Sequence, residues 1–500
     1  MNRSTPLHFI GIGGYGMSAL ARVCLEKGYR VTGSDLEEKP ILQSLRSLGA
    51  TVMIGHRPEN VPNEALVIYT SDVPKDNVEL VVATERHQTI WHRADLLAYF
   101  LNHEKGIAIA GSHGKTTSSS MTAWMMTEAG LDPTFVIGGE MVNLGTNARS
   151  GRGDYVVAEA DESDRSFLKY FPYIGAITNM EPDHLEHYDG DFRHMQQAFH
   201  QYARQVRAGG FLVVGIDDAE GRRLVASLQN EDGYIVGHRF THENGDASSE
   251  RSRTQMITVK TYAMTPAYDA DVVAQHIEMD GPYASFEAFI EGRSIGRITL
   301  GIPGRHHVMN ALLTLTIGSI LGVPDKVMVN SLQSFRGAKR RFEKIGEVRD
   351  ILLIDDYAVH PTEIEATLAT ARAFGRRVLA VFQPHRATRV YYLEQSFARA
   401  FADADRVYVG AIYSPRGDML TKVMDGRDLA TKIAEQSGVA TIYEAHQAAL
   451  AQHILNDVRP NDLVITLGAG DIRKLAFELR EALTQHMESP TTHRSDDAAM

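Results

Sequence analysis

The fold class is indicated most clearly by one stretch near the start of the sequence, Leu7-His-Phe-Ile-Gly-Ile-Gly-Gly-Tyr-Gly-Met-Ser-Ala-Leu-Ala-Arg-Val-Cys-Leu-Glu-Lys27. Its apolar start predicts a strand over Leu7–Ile10, its glycines predict a tight turn, and Met17–Lys27 has the pattern of a helix. Strand, glycine turn and helix in this order begin a βαβ unit. The G-x-G-x-x-G spacing lets the backbone approach a diphosphate, which the N–H groups at the helix N-terminus would bind.

The ligand of this glycine turn stays open from the motif alone. Asp35 follows the next predicted strand, Arg30–Gly33, where an acid often meets a ribose hydroxyl. A nicotinamide or flavin dinucleotide and another diphosphate nucleotide such as a UDP-sugar both fit this pattern. A tight turn without any ligand fits it as well.

Outward from this unit, short apolar runs alternate with helical stretches along most of the chain, which predicts an α/β fold with mostly parallel sheets. At about 150 residues per domain, 500 residues predict roughly three domains. Two polar stretches interrupt the alternation: 239–255 is predicted to be an exposed loop and 487–500 a disordered tail. The other predicted strands are Leu66–Tyr69, Ile107–Ala110, Tyr155–Glu159, Ile174–Asn179, Phe211–Gly215, Ile351–Asp355, Val378–Gln383, Arg406–Val409 and Leu463–Leu467.

Composition narrows the function classes. Lys and Arg total 51 and Asp and Glu total 63, so the net charge of −12 argues weakly against a binder of nucleic acid or of anionic membranes. The single cysteine, Cys24, excludes an intrachain disulfide. The longest apolar run, Ala311–Val323, is too short for a membrane span, and the N-terminus lacks the pattern of a signal peptide. We therefore expect a cytoplasmic protein.

A second block resembles a phosphate-binding loop. The predicted strand Ile107–Ala110 leads into Gly111-Ser-His-Gly-Lys-Thr-Thr117, although Ile109 stands where the full pattern has its first glycine. The chemistry survives this shortening, because backbone N–H groups can bind phosphates, Lys115 can reach the β/γ oxygens, and the Thr116 hydroxyl can ligate Mg²⁺.

Two more strand ends point to the same edge of the sheet. Glu159 ends one predicted strand and His184 follows another, so Lys115, Glu159 and His184 could converge on one Mg–nucleotide. Carboxylate and hydroxyl oxygens suit Mg²⁺, whereas histidine is a less usual ligand. A diphosphate turn together with a separate ATP site fits a simple dehydrogenase poorly and implies phosphoryl transfer.

The third block again places charged groups just past strand ends. Asp355-Asp-Tyr-Ala-Val-His360 follows one strand, and Gln383-Pro-His-Arg-Ala-Thr-Arg389 follows the next. Arg386 and Arg389 could hold a carboxylate, or they could belong to a solvated face.

Together these blocks resemble the Mur ligases of peptidoglycan synthesis over nearly the whole chain. The shortened phosphate loop is the form this family uses. The stretches that carry the resemblance are His8–Ser18, Gly111–Thr117, Phe135–Gly139, Gly145–Arg149, Ala158–Asp164 and Gln383–Arg386. The resemblance implies a Rossmann-like UDP-substrate domain (1–104), a P-loop-type central ATPase domain (105–336) and a Rossmann-like amino-acid domain (337–486).

The resemblance also implies the reaction and its participants. ATP and Mg²⁺ would drive the joining of L-alanine to the lactyl carboxylate of UDP-N-acetylmuramate through an acyl phosphate, in a monomer or homodimer. The residues matched to catalysis are Lys115, Glu159, His184, Arg340 and Arg341, with Thr116, Glu159 and His184 at the metal. Those matched to ATP are Gly111, Ser112, His113, Gly114, Lys115, Thr116, Thr117, Asn310 and Asp356. Those matched to the UDP-substrate are Gly11, Gly13, Gly14, Gly16, Met17, Asp35, Asn147, Glu162 and Ser163, and those matched to the amino acid are Tyr357, His385, Arg386 and Arg389.

Three departures from the family pattern keep alternatives open. His307 replaces an asparagine beside the adenine, Val359 replaces a histidine near the amino-acid pocket, and residues 411–417 replace a more acidic loop. Glycine or serine could therefore be the accepted amino acid, and a ligase for a recycled tripeptide is a close alternative. A nicotinamide-dependent oxidoreductase would leave Lys115, Glu159 and His184 unexplained, and a non-catalytic paralogue would predict a damaged ATP site.

Overall fold

The computed structural model describes residues 1–229, 231–236, 256–414 and 425–485. The chain divides into two compact units, 1–339 and 340–500, each of which is described by itself. The predicted loop at 239–255, the tail at 487–500 and residues 415–417 of the departing loop lie outside the described residues. No helix in the described ranges combines the length and the apolar character needed to cross a bilayer.

The first sheet of unit 1–339 has five parallel strands in the order β3-β2-β1-β4-β5. Because the strand order reverses at β1, the carboxyl end of β1 is a topological switch point, where ligands of open α/β sheets bind. Its elements are β1 (Leu7–Ile10), α1 (Tyr15–Glu26), β2 (Val31–Asp35), α2 (Pro40–Ser47), β3 (Thr51–Ile54), β4 (Leu66–Tyr69), α3 (Val78–Glu85), β5 (Ile90–His92) and α4 (Arg93–His103).

The second sheet of this unit has eleven strands and carries the predicted phosphate loop. Its parallel part runs β14-β13-β11-β10-β6-β9-β7, with β12 also parallel to β13, and antiparallel pairs extend it at both ends, β14-β15-β16 at one and β7-β8 at the other. Its strands are β6 (Lys105–Ala110), β7 (Thr134–Met141), β8 (Thr146–Arg149), β9 (Tyr155–Glu159), β10 (Ile174–Ile177), β11 (Phe211–Gly215), β12 (Tyr234–Val236), β13 (Ile257–Ala263), β14 (Val272–Asp280), β15 (Tyr283–Ile290) and β16 (Arg293–Pro303). Its helices are α5 (Lys115–Glu128), α6 (Phe192–Arg204), α7 (Ala219–Leu228), α8 (His307–Ile320) and α9 (Asp325–Ser334).

The longest apolar run of the sequence forms most of α8. This helix is buried from His307 to Gly318 at nearly every position, because it packs against α5 and the strands of the central sheet. An apolar helix of this kind belongs to the interior of a protein. Helix α5 is buried in the same way, although it is rich in serine and threonine.

Unit 340–500 contains the third sheet, in the order β17-β18-β22-β19-β20-β21, with only β17 antiparallel to its neighbour among these strands. Strands β18 and β22 are buried along their whole length, as expected of central parallel strands covered by helices. The elements are β17 (Glu343–Val348), β18 (Ile351–Asp356), α10 (Pro361–Arg372), β19 (Arg377–Phe382), α11 (Ala387–Tyr392), α12 (Glu394–Arg399), β20 (Arg406–Val409), α13 (Gly426–Ser437), β21 (Thr441–Tyr443), α14 (Gln447–Asp457), β22 (Asp462–Leu467) and α15 (Ile472–Gln485).

The three sheets with their helices confirm the predicted α/β class, and each predicted strand is found within two residues of its predicted ends. The sequence did not predict the antiparallel ribbon β14–β16. Those strands alternate buried and exposed residues, so they lack the continuous apolar runs that indicated the parallel strands. The domain bounds stay a prediction, and the two units divide three residues later than the predicted 336/337 boundary.

Candidate active site

The glycine turn after β1 is fixed by the end of β2. Gly11 has a φ of +76°, and the N–H groups of Gly11 and Ile12 donate to the carbonyl oxygen of Ser34 at 2.8 and 2.9 Å. The N–H of Gly13 donates to Asp35 Oδ2 at 2.9 Å, and a Cβ at Gly13 would lie 2.7 Å from the same oxygen. Two neighbouring residues of β2 therefore hold the turn, and the close approach requires glycine at position 13.

Asp35, the acid predicted to contact a ribose hydroxyl, has hydrogen-bond partners within the protein. Asp35 is buried, and its Oδ1 accepts from Lys39 Nζ at 2.9 Å. The carboxylate therefore shapes the turn, and its contact with a ribose stays a prediction. Gly14 and Gly16 flank the start of α1, while Met17 is buried in the core. Asn147 lies in β8 of the central sheet, and its buried Nδ2 has no hydrogen-bond acceptor among the described residues.

The phosphate loop joins β6 to α5 in the conformation that its glycines allow. Gly111 and Gly114 have φ angles of +131° and +82°. A Cβ at Gly111 would overlap the side chain of Thr178, and one at Gly114 would lie 2.6 Å from Asn310 Oδ1. The loop therefore begins directly at the carboxyl end of a buried strand and ends at the N-terminus of a helix, which is the setting for binding phosphate.

Lys115 has its ammonium inside this loop. Its Nζ donates to the carbonyl oxygens of Gly111 and Ser112 and, at 2.8 Å, to Glu162 Oε1. Burial opposes the charge of the ammonium, but the carboxylates of Glu162 and Asp161 outweigh it and raise the pKa of Lys115. The lysine is therefore held as a cation beside the loop. Glu162, predicted to contact the UDP-substrate, is the ion-pair partner of Lys115, and Ser163 lies in the same turn.

Thr116 and Glu159 supply adjacent oxygen atoms. Thr116 Oγ1 donates to Glu159 Oε2 at 3.2 Å, and the N–H of Gly138 donates to Glu159 Oε1 at 2.5 Å. A Cβ at Gly138 would lie 2.7 Å from both carboxylate oxygens, so the strand β7 can pass this close only with glycine there. A hydroxyl beside a carboxylate is a donor set that suits Mg²⁺.

His184, the third predicted metal ligand, lies beside other side chains than Thr116 and Glu159 do. His184 has a φ of +52° and contacts Asp183 Oδ2 from Nε2 at 3.5 Å and Glu186 Oε1 from Nδ1 at 3.6 Å. These two carboxylates lie beside its ring, whereas Thr116 and Glu159 contact each other directly. The role of His184 at a metal stays a prediction.

Asn310 links the phosphate loop to α8. Its Oδ1 accepts from Ser118 Oγ at 3.1 Å, and its Nδ2 lies 3.0 Å from Nδ1 of His307. Both Asn310 and His307 are buried. The histidine that departs from the family pattern is thus a hydrogen-bond neighbour of the residue predicted to contact adenine.

Within unit 340–500, the two predicted arginines converge on one tyrosine. The guanidinium groups of Arg340 and Arg341 lie 4.7 and 5.4 Å from the ring centre of Tyr357. Arg340 also donates to the carbonyl oxygens of Gly468 and Ala469 at 2.9 and 3.2 Å. Cation–π contacts place both arginines beside Tyr357, and the two hydrogen bonds of Arg340 further hold it at the carboxyl edge of the third sheet.

Asp356 is buried at the same edge. Its oxygens accept from the N–H groups of Phe342 and Ala358, both at 2.8 Å. Burial raises the pKa of Asp356 to about 6, although Arg341 and the two N–H groups oppose the shift. The carboxylate therefore fixes the backbone of Phe342 to that of Ala358, the residue after Tyr357.

The residues predicted for the amino-acid pocket are also adjacent. Arg389 is buried, and its Nη1 lies 3.2 Å from Nδ1 of His385. The ring of His385 stacks on Tyr413 with 5.8 Å between centres, and the N–H of Arg386 donates to the carbonyl oxygen of Tyr413 at 2.9 Å. Tyr413 was missed from the sequence, because the departing loop offered no pattern that pairs it with His385.

Three stretches of the chain match the domain models of one enzyme family. Residues 6–105 match "Mur ligase family, catalytic domain", residues 109–318 match "Mur ligase middle domain", and residues 340–470 match "Mur ligase, glutamate ligase domain".

Curated relatives extend the likeness over nearly the whole chain. The UDP-N-acetylmuramate–L-alanine ligase of Symbiobacterium thermophilum is 42% identical over 97% of this chain and 95% of its own length. The ligase of the same name from Pelotomaculum thermopropionicum is 39% identical over 98% of this chain and 100% of its own. The crystal structure of the UDP-N-acetylmuramate–alanine ligase of Thermotoga maritima superposes with a TM-score of 0.75 at 27% identity, covering 96% of this chain and 99% of that one.

Proposed function

We propose a reaction for this chain on the premise that it belongs to the Mur ligase family. The reaction is the ATP-dependent joining of the amino group of L-alanine to the lactyl carboxylate of UDP-N-acetylmuramate, with release of ADP and phosphate. The observation that carries the proposal is the group formed by Lys115, Thr116 and Glu159 at the end of β6 and β9, in a chain 42% identical to a ligase of that name.

The chemistry begins with a poor electrophile. A carboxylate does not react with an amine, because an oxide or hydroxide would have to leave. The carboxylate oxygen of the sugar attacks the γ-phosphorus of ATP, the bond to the bridging oxygen breaks, and ADP leaves with that electron pair. The product is an acyl phosphate, whose phosphate is a good leaving group.

Amide formation completes the reaction. The amine of alanine attacks the acyl carbon to give a tetrahedral intermediate, the carbon–oxygen bond to phosphate breaks, and the nitrogen loses a proton. Charge builds on the transferring oxygens in the first step, and a held cation that need not reorganise lowers that barrier. Lys115 is such a cation, because Glu162 and the loop carbonyls fix its ammonium before any substrate arrives.

Thr116 and Glu159 would hold Mg²⁺, which when bound neutralises charge on the phosphate oxygens of ATP. We assign His184 to the same metal from the family match alone. In this proposal the loop Gly111–Thr117 binds the phosphates, and Asn310 and Asp356 contact the nucleoside.

The remaining roles follow the same assignment. The glycine turn after β1 binds the diphosphate of UDP-N-acetylmuramate, with Asp35, Asn147 and Ser163 as further contacts. Tyr357, His385, Arg386 and Arg389 receive alanine, whose carboxylate suits an arginine pair. The proposed domains are 1–104, 105–336 and 337–486. The proposed compartment is the cytoplasm, where ATP and nucleotide sugars serve as substrates. Monomer and homodimer are both compatible with this reaction.

A phosphate-release assay tests the proposal. The full chain is incubated with ATP, Mg²⁺ and UDP-N-acetylmuramate, and each of the twenty amino acids or the tripeptide L-alanyl-γ-D-glutamyl-meso-diaminopimelate is added in turn. We expect release above background with L-alanine, at a kcat/KM at least about tenfold above glycine and serine. Release with the tripeptide but not with alanine would overturn the assignment in favour of the recycling ligase.

A further inference from the structure

Glu79 is a fully buried carboxylate that the proposed reaction does not use. It is the second residue of α3, the helix that follows β4 in the chain. Its Oε1 accepts from the N–H of Arg57 at 3.1 Å and from Asn60 Nδ2 at 2.7 Å. Its Oε2 accepts from Ser34 Oγ at 2.5 Å and lies 3.4 Å from His8 Nε2.

The donors keep this carboxylate ionised. Burial would raise the pKa of Glu79, but the hydrogen bonds from His8, Ser34 and Asn60 outweigh burial and lower it to about 2. The position in the first turn of α3 adds the favourable field of the helix N-terminus. A buried charge with this many donors from separate segments fixes those segments to one another.

The hydrogen bonds have one consistent direction through Ser34. Because the Ser34 hydroxyl donates to Glu79, its oxygen is left to accept from His56 Nδ1, 2.8 Å away. On the other side, His8 Nε2 faces Glu79 while His8 Nδ1 lies 2.9 Å from Thr32 Oγ1. The network thus joins β1, β2 and the segment after β3 around one carboxylate.

Ser34 connects this network to the glycine turn. Its side chain binds Glu79, and its carbonyl oxygen accepts both N–H groups that open the turn, from Gly11 and Ile12. The next residue, Asp35, accepts the N–H of Gly13. The hydrogen bonds donated by Gly11, Ile12 and Gly13 therefore end on Ser34, which Glu79 binds directly, and on the residue that follows it.

We propose that Glu79 is a positioning residue for the diphosphate-binding turn, acting through Ser34 to hold the backbone of Gly11–Gly13 in its binding conformation. The inference rests on the proposed function only in taking the ligand of the turn to be UDP-N-acetylmuramate. Glu79 itself is fully buried and acts only through Ser34. Because the carboxylate holds β2 in place, the turn is already ordered before the diphosphate binds. Less conformational entropy is then lost on binding.

Two variants test this role at different distances from the turn. Glu79→Gln keeps the shape but replaces one acceptor oxygen with an NH₂ group that faces donors. Ser34→Ala removes the hydroxyl link while leaving the Ser34 carbonyl and the Oε1 bonds of Glu79 in place. The matched control is Asp271→Asn, because Asp271 is another buried carboxylate of the same unit and accepts from the N–H and hydroxyl of Thr261.

We expect Glu79→Gln to raise the KM for UDP-N-acetylmuramate by about tenfold or more and Ser34→Ala by about threefold. The kcat at saturation and the KM for ATP should stay within about twofold of wild type in both. Loss of folded protein alone would lower the apparent kcat and leave KM unchanged, which separates positioning from simple stability. Asp271→Asn should lower Tm without raising the KM for the UDP-sugar.

A direct binding measurement keeps this test separate from the reaction itself. Isothermal calorimetry with UDP as the probe should show a Kd at least about fivefold weaker in Glu79→Gln than in wild type. An unchanged Kd and KM in folded Glu79→Gln would overturn the inference even if wild type forms the alanine amide. Absence of amide formation by wild type, with UDP binding weakened in the variant, would overturn the proposed function and leave the positioning role supported.

Discussion

Lys115 Nζ lies 2.8 Å from Oε1 of Glu162, and the side chains of both residues are largely buried. The two residues come from the start of α5 and from the turn after β9, which β6 and β9 place side by side. Removing one member of such a pair leaves an uncompensated buried charge. The pair therefore gives the phosphate loop a cation in a fixed position, and the predictions for this site depend on it.

Lys115→Ala should abolish phosphate release while leaving the UDP-sugar site intact. The variant loses the cation that offsets charge on the transferring phosphoryl group, so we expect kcat to fall by about a thousandfold or more. Its Kd for UDP-N-acetylmuramate should stay within about threefold of wild type, measured by calorimetry. Lys260→Ala is the matched control, because Lys260 is another ion-paired lysine of the same unit, bound to Asp271 and Glu291. Turnover near wild type in Lys115→Ala would refute the assigned role.

Glu159→Gln should raise the requirement for Mg²⁺. The amide must keep its oxygen towards the N–H of Gly138, so its NH₂ would replace the oxygen that faces Thr116. We expect the Mg²⁺ concentration for half-maximal phosphate release, at fixed ATP, to rise by about tenfold or more. Glu287→Gln on β15 serves as a remote control. A Mg²⁺ titration identical to wild type would remove Glu159 from the metal site.

Arg386→Ala should act on the amino acid. A guanidinium that binds the carboxylate of alanine contributes mainly to substrate affinity, so we expect the KM for alanine to rise by about tenfold or more and the KM for ATP to stay unchanged. Arg399→Ala, at an exposed arginine of α12 that donates to Gln436, is the matched control. If the alanine KM of Arg386→Ala equals that of wild type, Arg386 does not belong to the pocket.

The sequence predicted those parts of the fold whose signal is local. Strands such as β6 and β22 are continuous apolar runs, and the turns at Gly11 and Gly111 carry glycines that the backbone requires. Glu79 gave no such signal, since an acid in the first turn of a helix is ordinarily exposed. Its burial depends on partners up to 71 residues away in the chain.

The same distinction applies to the candidate site. Lys115 and Glu159 could be placed together because each follows a parallel strand of one sheet. The pairing of Lys115 with Glu162, and of His385 with Tyr413, depends on how the turns beyond the strands bend. No periodicity or motif encodes those bends, so only the structure shows which side chains meet.

Asp356→Asn should change how stability depends on pH. The pKa of Asp356 rises from an ordinary 3.8 to about 6 in the folded chain, so the folded state binds this proton more strongly than the unfolded state between those values. The contribution of Asp356 to stability is therefore largest below pH 4, falls by about 3 kcal/mol in all as pH rises through the folded pKa, and is constant above about pH 7. An asparagine cannot titrate, and its NH₂ leaves one of the N–H groups of Phe342 and Ala358 without an acceptor, which costs about 1–3 kcal/mol at every pH.

We expect the Tm of wild type to exceed that of the variant by more at pH 4.5 than at pH 7.5, measured by scanning calorimetry of the full chain. The exposed Asp403, changed to asparagine, should show no such pH-dependent gap. A gap of equal size at both pH values for Asp356→Asn would mean that this carboxyl does not titrate in the range its burial implies.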